Sequence, residues 1–211
     1  MSELRFLAAL GVELLRHDEL HAGTPTHELF QTSTVQALLG GAFDGDVTLA
    51  EVLEHGDLGL GTLDGLDGEL LVIDGEPWQA LLDGTLVRPS LSRTTPYAVV
   101  VPFRPAPPVE LTGPLGLDEL DAALGAAGQV LATDAIRIDG RFASVHVRSV
   151  PRQQPPYPHL AEVIAQQQIT ELRDVAGTMV GFRFPDPLAG SRSRAGTCTS
   201  PPKIARAAVT S

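Results

Sequence analysis

Glycine placement constrains this chain more than any other feature. From Leu58 onward, Gly59, Gly61, Gly65 and Gly68 fall so close together that no helix of ordinary length fits. Each glycine inside a helix costs about 1 kcal/mol relative to alanine. The apolar runs shorten to strand length at the same point, so this region is predicted to be β-structure. Three Asp-Gly pairs match the hairpin rule, because both central residues of a type I′ turn need φ > 0. They are Asp74-Gly75 after E-L-L-V-I, Asp83-Gly84 after W-Q-A-L-L, and Asp139-Gly140 between A-I-R-I and F-A-S-V-H-V.

Helical signals flank this region. Residues 2–18 carry Leu4, Leu7, Ala8, Leu10, Leu14 and Leu15 at helical spacing. Ser33 is the expected N-cap of T-V-Q-A-L-L, which Gly40-Gly41 closes. Asp44-Gly45-Asp46 reads as a turn. Thr48 caps L-A-E-V-L-E-H, which ends at Gly56. Tyr97 to Phe103 reads as a strand whose end Pro102 pushes to a sheet edge. Residues 104–114 are rich in proline and mark a boundary. Helices are expected over Leu117–Ala127 and Pro158–Gln168, and a strand over Val175–Phe184. This order is an α+β protein with hairpin-rich, mixed β-sheets and a few short helices, not a βαβ series. Its expected parts are an N-terminal domain over 1–104, an incomplete β-rich domain over 115–190, and a disordered tail over 191–211.

Composition excludes several classes. A formal net charge of −11 is wrong for a nucleic-acid binder, which needs a basic face for phosphates. No apolar run reaches the ~20 residues that span a bilayer. The first twenty residues lack the basic-then-apolar order of a secretory signal, so a cytoplasmic protein is expected. The single cysteine, Cys198, excludes an intrachain disulfide framework and a cysteine metal cage. Histidines 17, 21, 27, 55, 146 and 159 show no ligand spacing such as H-x-H.

Two stretches could carry chemistry. In H-G-D-L-G-L-G-T-L-D-G-L-D-G-E-L-L-V-I-D-G-E, residues 55–76, most acids suit turns. Glu69 differs because it opens an apolar strand. It either points into a cleft and moves protons at a raised pKa, or ends a strand at the surface. In A-I-R-I-D-G-R-F-A-S-V-H-V-R-S-V-P-R, period two puts His146 and Arg148 on one face. Arg137, Arg148 and Arg152 either pair with surplus acids or hold a small carboxylate, which the planar guanidinium fork suits.

Long ordered blocks carry a resemblance. Residues 29–70, L-F-Q-T-S-T-V-Q-A-L-L-G-G-A-F-D-G-D-V-T-L-A-E-V-L-E-H-G-D-L-G-L-G-T-L-D-G-L-D-G-E-L, resemble α-acetolactate decarboxylase. So do T-T-P-Y-A-V-V-V-P-F (94–103), A-I-R-I-D-G-R-F (135–142), V-R-S-V-P-R-Q-Q-P-P-Y-P (147–158) and G-T-M-V-G-F-R-F-P (177–185). The resemblance implies a two-domain cytoplasmic lyase with mixed sheets that commonly forms a homodimer. It implies zinc-dependent conversion of 2-acetolactate to acetoin and carbon dioxide. It places Thr62, Glu69 and Arg148 in the active site, and implies three zinc-binding histidines and a further glutamate near the C-terminus.

Beyond Gly190 the resemblance stops. All 26 acids precede that point, and the last 21 residues carry four bases, Arg192, Arg194, Lys203 and Arg206. The histidines that the resemblance implies are absent there, so this chain as written offers no metal ligands and should be inactive or nearly so. A one-base shift accounts for the change. With GC-rich codons, residues 191–211 read one base earlier give an apolar residue, then E-V-P-G-G-H-L-H-L-T-A-E-D-R-T-S-G-G-H-V. That frame restores E-V-P-G, H-x-H and G-G-H together and in order. The competing readings are a non-enzymatic small-molecule or partner-binding remnant of the same fold, and a basic-tailed interaction protein that rests on residues 191–211 alone.

Overall fold

The computed structural model describes residues 12–13, 29–105, 108, 110–111, 113–116, 119–120, 122–123 and 134–183. Its elements are β1 (Val12–Glu13), β2 (Leu29–Gln31), α1 (Val35–Leu39), β3 (Val47–Thr48), α2 (Leu49–Glu54), β4 (Leu58–Thr62), β5 (Glu69–Ile73), β6 (Glu76–Ala80), β7 (Leu86–Val87), β8 (Thr94–Thr95), β9 (Tyr97–Val101), β10 (Asp134–Ser149), α3 (Leu160–Ile164) and β11 (Gln168–Arg183). A one-turn 3₁₀ segment, Asp64–Leu66, links β4 to β5.

Seven strands form one mixed sheet in the order β1-β2-β9-β4-β5-β6-β7, parallel only between β1 and β2. β10 and β11 form a separate antiparallel ribbon, and β3 pairs with β8. The α+β class and the hairpin-rich mixed sheets are as the sequence indicates. Alternation along the strands builds two packing layers. One face carries Phe30, Leu70, Val72, Ala98 and Val100 against Leu49 and Val52 of α2. The opposite face carries Leu58, Leu71, Ile73 and Val99 against Val180 and Phe182 of β11. The glycines of β4 have a steric reason. A Cβ at Gly59 or Gly61 would fall 2.3 Å from the carbonyl oxygen of Val99 or Tyr97 in β9.

Local chemistry explains several elements. Thr48 and Glu51 form a reciprocal capping box on α2, with the Glu51 backbone N–H donating to Thr48 Oγ1 and the Thr48 N–H donating to Glu51 Oε2. Asp74 (φ 54°) and Gly75 (φ 75°) are both left-handed, as a type I′ hairpin between β5 and β6 requires.

Other expectations need correction. The N-cap of α1 is Thr34, whose side chain accepts from the Ala37 N–H; Ser33 lies one residue outside. Asp44-Gly45-Asp46 is not a turn but an irregular run, held by the Gly45 N–H donating to Asp64 Oδ1. Asp83-Gly84 does turn the chain between β6 and β7, but only Gly84 is left-handed. The Gly84 N–H donates back to Leu81 O, so the left-handed residue is the fourth of the turn, where glycine adopts it without strain. Asp139-Gly140 is no turn at all. Both lie inside β10, opposite Thr178 and Gly177, and the Thr178 hydroxyl donates to Asp139. A long-range ladder overrides the local turn preference there. β9 lies between β2 and β4, with Pro102 just past its last residue, so it is an interior strand. Val12–Glu13 is a strand where a helix was expected; the rest of the 2–18 expectation lies outside the described residues. The Pro158–Gln168 helix is only Leu160–Ile164, capped at His159, and Gln168 already belongs to β11. Residues 119, 120, 122 and 123 are helical, while the remainder of 117–127 lies outside the described set, as does the tail 191–211.

Candidate active site

Glu69 is the first residue of β5, directly opposite Thr62 of β4 on one side and Ala80 of β6 on the other. Tyr97 of β9 is opposite Thr62, so Ala80, Glu69, Thr62 and Tyr97 form one row across four strands. Directly paired residues share a face, and this face is the one that meets the β10–β11 ribbon.

Where the ribbon leaves the sheet, a cavity of about 230 Å³ opens. Glu69, Ala80, Leu81, Leu82 and Leu86 line one wall; Val147, Arg148, Thr170, Leu172 and Val175 line the other. The surroundings of Glu69 are therefore largely apolar. Although the residue as a whole keeps partial exposure, its carboxyl is stripped of water and its pKa is pushed up to about 7. Among the described residues none donates a hydrogen bond to that carboxyl. Glu69 thus lies in the cleft and not at a solvated strand end.

Arg148 of β10 borders the same cavity, but it is exposed and pairs with Ile169 on the ribbon face opposite Val147, Thr170 and Leu172. Among the described residues no carboxylate pairs with it. Arg137, by contrast, is committed to Asp74 at 2.6 Å and to Asp139 at 2.9 Å. Arg152 lies 3.9 Å from Asp67. The three arginines therefore divide, with Arg137 and Arg152 directed at acids and Arg148 exposed at the rim of the cavity.

Thr62 is buried, and its hydroxyl donates to the carbonyl of Gly68 at 2.8 Å. It sits beside Glu69 in the sheet, but it does not line the cavity; its hydroxyl fixes the backbone immediately before Glu69. The Thr62 carbonyl in turn accepts from the Thr95 hydroxyl at 2.6 Å. Tyr97, next in the row, has its phenol pushed up by burial.

The turn before Glu69 is held from several directions, and sequence reasoning missed this. Gly65 (φ 69°), Leu66 (φ 56°) and Gly68 (φ 78°) are all left-handed. Gln79, buried in β6, donates to the Asp67 carbonyl at 2.7 Å. Arg93 donates to Asp67 Oδ2 at 2.8 Å and to Gln79 Oε1 at 3.4 Å. The Gln153 N–H donates to the Gly65 carbonyl at 2.6 Å. A lone arginine in S-R-T-T carries no sequence signal for this role. The apolar cavity walls were also missed, since Leu81 and Leu82 read as ordinary strand residues.

The described histidines do not supply a metal site. His55 caps α2 and stacks on Phe30, with ring centroids 3.9 Å apart, and burial holds its pKa down. His146 lies on the exposed ribbon opposite Glu171, and His159 caps α3. None lines the cavity, and among the described residues no group of three or more His, Cys, Asp or Glu side chains could hold a metal ion. The described residues therefore do not fit the zinc that the resemblance implies. Nor, among them, is any helix long and apolar enough to cross a membrane.

Comparison with known proteins places this geometry. The pattern of the alpha-acetolactate decarboxylase family matches residues 29–195. An alpha-acetolactate decarboxylase of Methylococcus capsulatus is 40% identical over 183 residues, covering 86% of this chain and 70% of the relative. One of Methanosarcina mazei is also 40% identical, over 77% of this chain and 57% of the relative. The crystal structure of alpha-acetolactate decarboxylase from Bacillus subtilis strain 168 superimposes with a TM-score of 0.72 at 33% identity, covering 77% of this chain and 70% of that one. This chain thus spans 57% to 70% of the length of these relatives. Across that span, sequence and fold agree, and the chain belongs to the alpha-acetolactate decarboxylase family.

Proposed function

We propose that the fold serves decarboxylation of 2-acetolactate to acetoin and carbon dioxide, with Glu69 as proton donor and Arg148 as the cation that orients the substrate. The observation that carries this reading is a carboxyl at about pKa 7 in an apolar cavity at whose rim lies an arginine without a carboxylate partner among the described residues. Arg148 holds the substrate carboxylate through its guanidinium fork. The bond from that carboxylate to the carbinol carbon breaks, and its electrons move onto the adjacent ketone as an enediolate. Carbon dioxide leaves. Glu69, about half protonated near neutral pH, delivers its proton to carbon and is reprotonated from solvent. The reaction consumes one proton and releases acetoin. Thr62 acts on this chemistry through the backbone before Glu69. A cytoplasmic setting and a homodimer, with an N-terminal part to residue 104 and a second part from 115, complete the proposal.

Zinc is the proposed cofactor, and its ligands lie outside the residues described. The same shift of one base near codon 190 that restores H-x-H and G-G-H would supply them. A second reading, that this fold binds a small molecule without turnover, is favoured by the missing metal donor set among the described residues. The two separate in one experiment. The 211-residue chain and a frame-restored chain are purified, metal per chain is measured, and acetoin is assayed from 2-acetolactate. Activity and zinc are expected in the restored chain, with turnover in the 211-residue form lower by orders of magnitude. Stoichiometric zinc and full turnover in the 211-residue form would overturn the assignment of the ligands to the shifted frame. A restored chain that binds 2-acetolactate without producing acetoin would favour the second reading.

A further inference from the structure

The structure assigns Arg93 as a positioning residue for Glu69: it locks the left-handed turn over residues 64–68 and so holds the Glu69 carboxyl inside the apolar cavity. The inference rests on the proposed role of Glu69.

The geometry is that of a clamp. Two of the three left-handed residues in this turn are glycines, which adopt that conformation freely, but Leu66 (φ 56°) persists there only where surrounding contacts over-determine it. Leu66 is packed with Phe43 and Val163, which fixes one side of the turn. The polar side converges on Asp67. Arg93 alone bridges the Asp67 carboxylate and the Gln79 amide, and Gln79 passes the restraint to the Asp67 carbonyl. Gln79 is also the residue before Ala80, which pairs with Glu69. The clamp therefore acts on Glu69 from both the turn that precedes it and the strand beside it. Arg152 lies 3.9 Å from the same carboxylate, so it is the weaker partner. Gln153 ties the same turn to the segment that follows Arg148.

Releasing Arg93 leaves the Asp67 carboxylate with only Arg152 at 3.9 Å, and weakens the restraint on Leu66 and on the turn that leads into Glu69. Water then reaches the Glu69 carboxyl. The other charged groups around Glu69 are Arg148 across the cavity and Asp67, Arg93 and Arg152 at the turn, with the Tyr97 phenol further along the row. Burial, and not a neighbouring carboxylate, raises the Glu69 pKa.

The test follows the Glu69 carboxyl directly. The full 211-residue chain is prepared with side-chain-labelled glutamate, the resonance is assigned by its loss in Glu69→Gln, and the chemical shift is titrated. Arg93→Ala is expected to lower the Glu69 midpoint by about one pH unit or more, as water replaces the apolar surroundings. Arg93→Lys keeps a cation for Asp67 and is expected to lower it by less than half as much. Should Arg93→Ala fail to fold, Asp67→Asn removes the same contact with little change of shape, and the same fall is expected. Arg141→Ala breaks an exposed ion pair with Asp174 far along the ribbon and should leave the midpoint in place. A high midpoint in the parent that Arg93→Ala or Asp67→Asn does not move overturns the positioning role alone. An equal fall in Arg93→Ala, Arg93→Lys and Arg141→Ala overturns it too, because it would report general loosening. An ordinary carboxylate midpoint in the parent overturns both this inference and the role of Glu69 in the proposed function.

Discussion

A buried carboxyl at about pKa 7 costs the fold something whenever it ionises. For Glu69 the cost has a definite sign. Its folded pKa lies above the unfolded value near 4.5, so below pH 4.5 the group is neutral in both states and imposes no penalty. Between pH 4.5 and 7 the unfolded chain ionises and the folded one does not, and the penalty grows. Above pH 7 it is complete, at about 3 kcal/mol if desolvation is the whole cause. Glu69→Gln should therefore match the parent in urea unfolding at pH 4.5 and exceed its stability at pH 8. The same titration bears on turnover. In an active, frame-restored chain, kcat should fall as pH rises through about 7, because the donor loses its proton, and Glu69→Gln should lose most activity at every pH. A kcat that rises across that range would show Glu69 acting as a base.

At the scale of single elements, capping and turn chemistry make the clearest expectations. Thr48→Ala removes one half of the capping box on α2 and should cost about 1 kcal/mol in urea unfolding. Gly75→Ala tests conformation without crowding, since its Cβ would meet nothing nearer than 4.0 Å. A loss of about 1 kcal/mol is expected from the left-handed φ alone. These two devices were legible in the sequence because the residues that carry them are adjacent or nearly so. The Asp139-Gly140 pair shows the limit. Its local signal is the same as that of Asp74-Gly75, but the ladder to Thr178 and Gly177 decides its conformation, and those partners are almost forty residues away. The site divides similarly. Glu69 stood out because a carboxylate opening an apolar strand is unusual. Arg148 stood out by its two-residue alternation. Arg93 and Gln79 could not be found, because their role depends on which carbonyl and carboxylate the fold brings to them. The resemblance puts Thr62 in the active site; in the structure it sits beside Glu69 without lining the cavity, its hydroxyl bonded to the Gly68 carbonyl.

Over the whole molecule, stability is unevenly distributed. The central strands β4, β5 and β9 are covered on both faces, by α2 on one side and by β11 on the other. The ribbon is different. Near Asp139–Ser144 and Arg173–Asp174 most of its residues are exposed. Amide hydrogen exchange should therefore be slowest in β4, β5 and β9 and much faster at the far end of the ribbon, where little apolar surface opposes local opening. Uniform protection across both would show that the ribbon is covered by something further. The clamp between β4 and β5 has a different consequence for how the chain can vary. Loop lengths in proteins usually drift freely, since adding residues costs little. Here the five residues from Asp64 to Gly68 set which way Glu69 faces, because strand side chains alternate. One residue inserted or deleted in that span would turn the carboxylate toward α2 and bring Leu70 into the cavity. This short connection is therefore as intolerant of a change in length as the interior is of a change in shape.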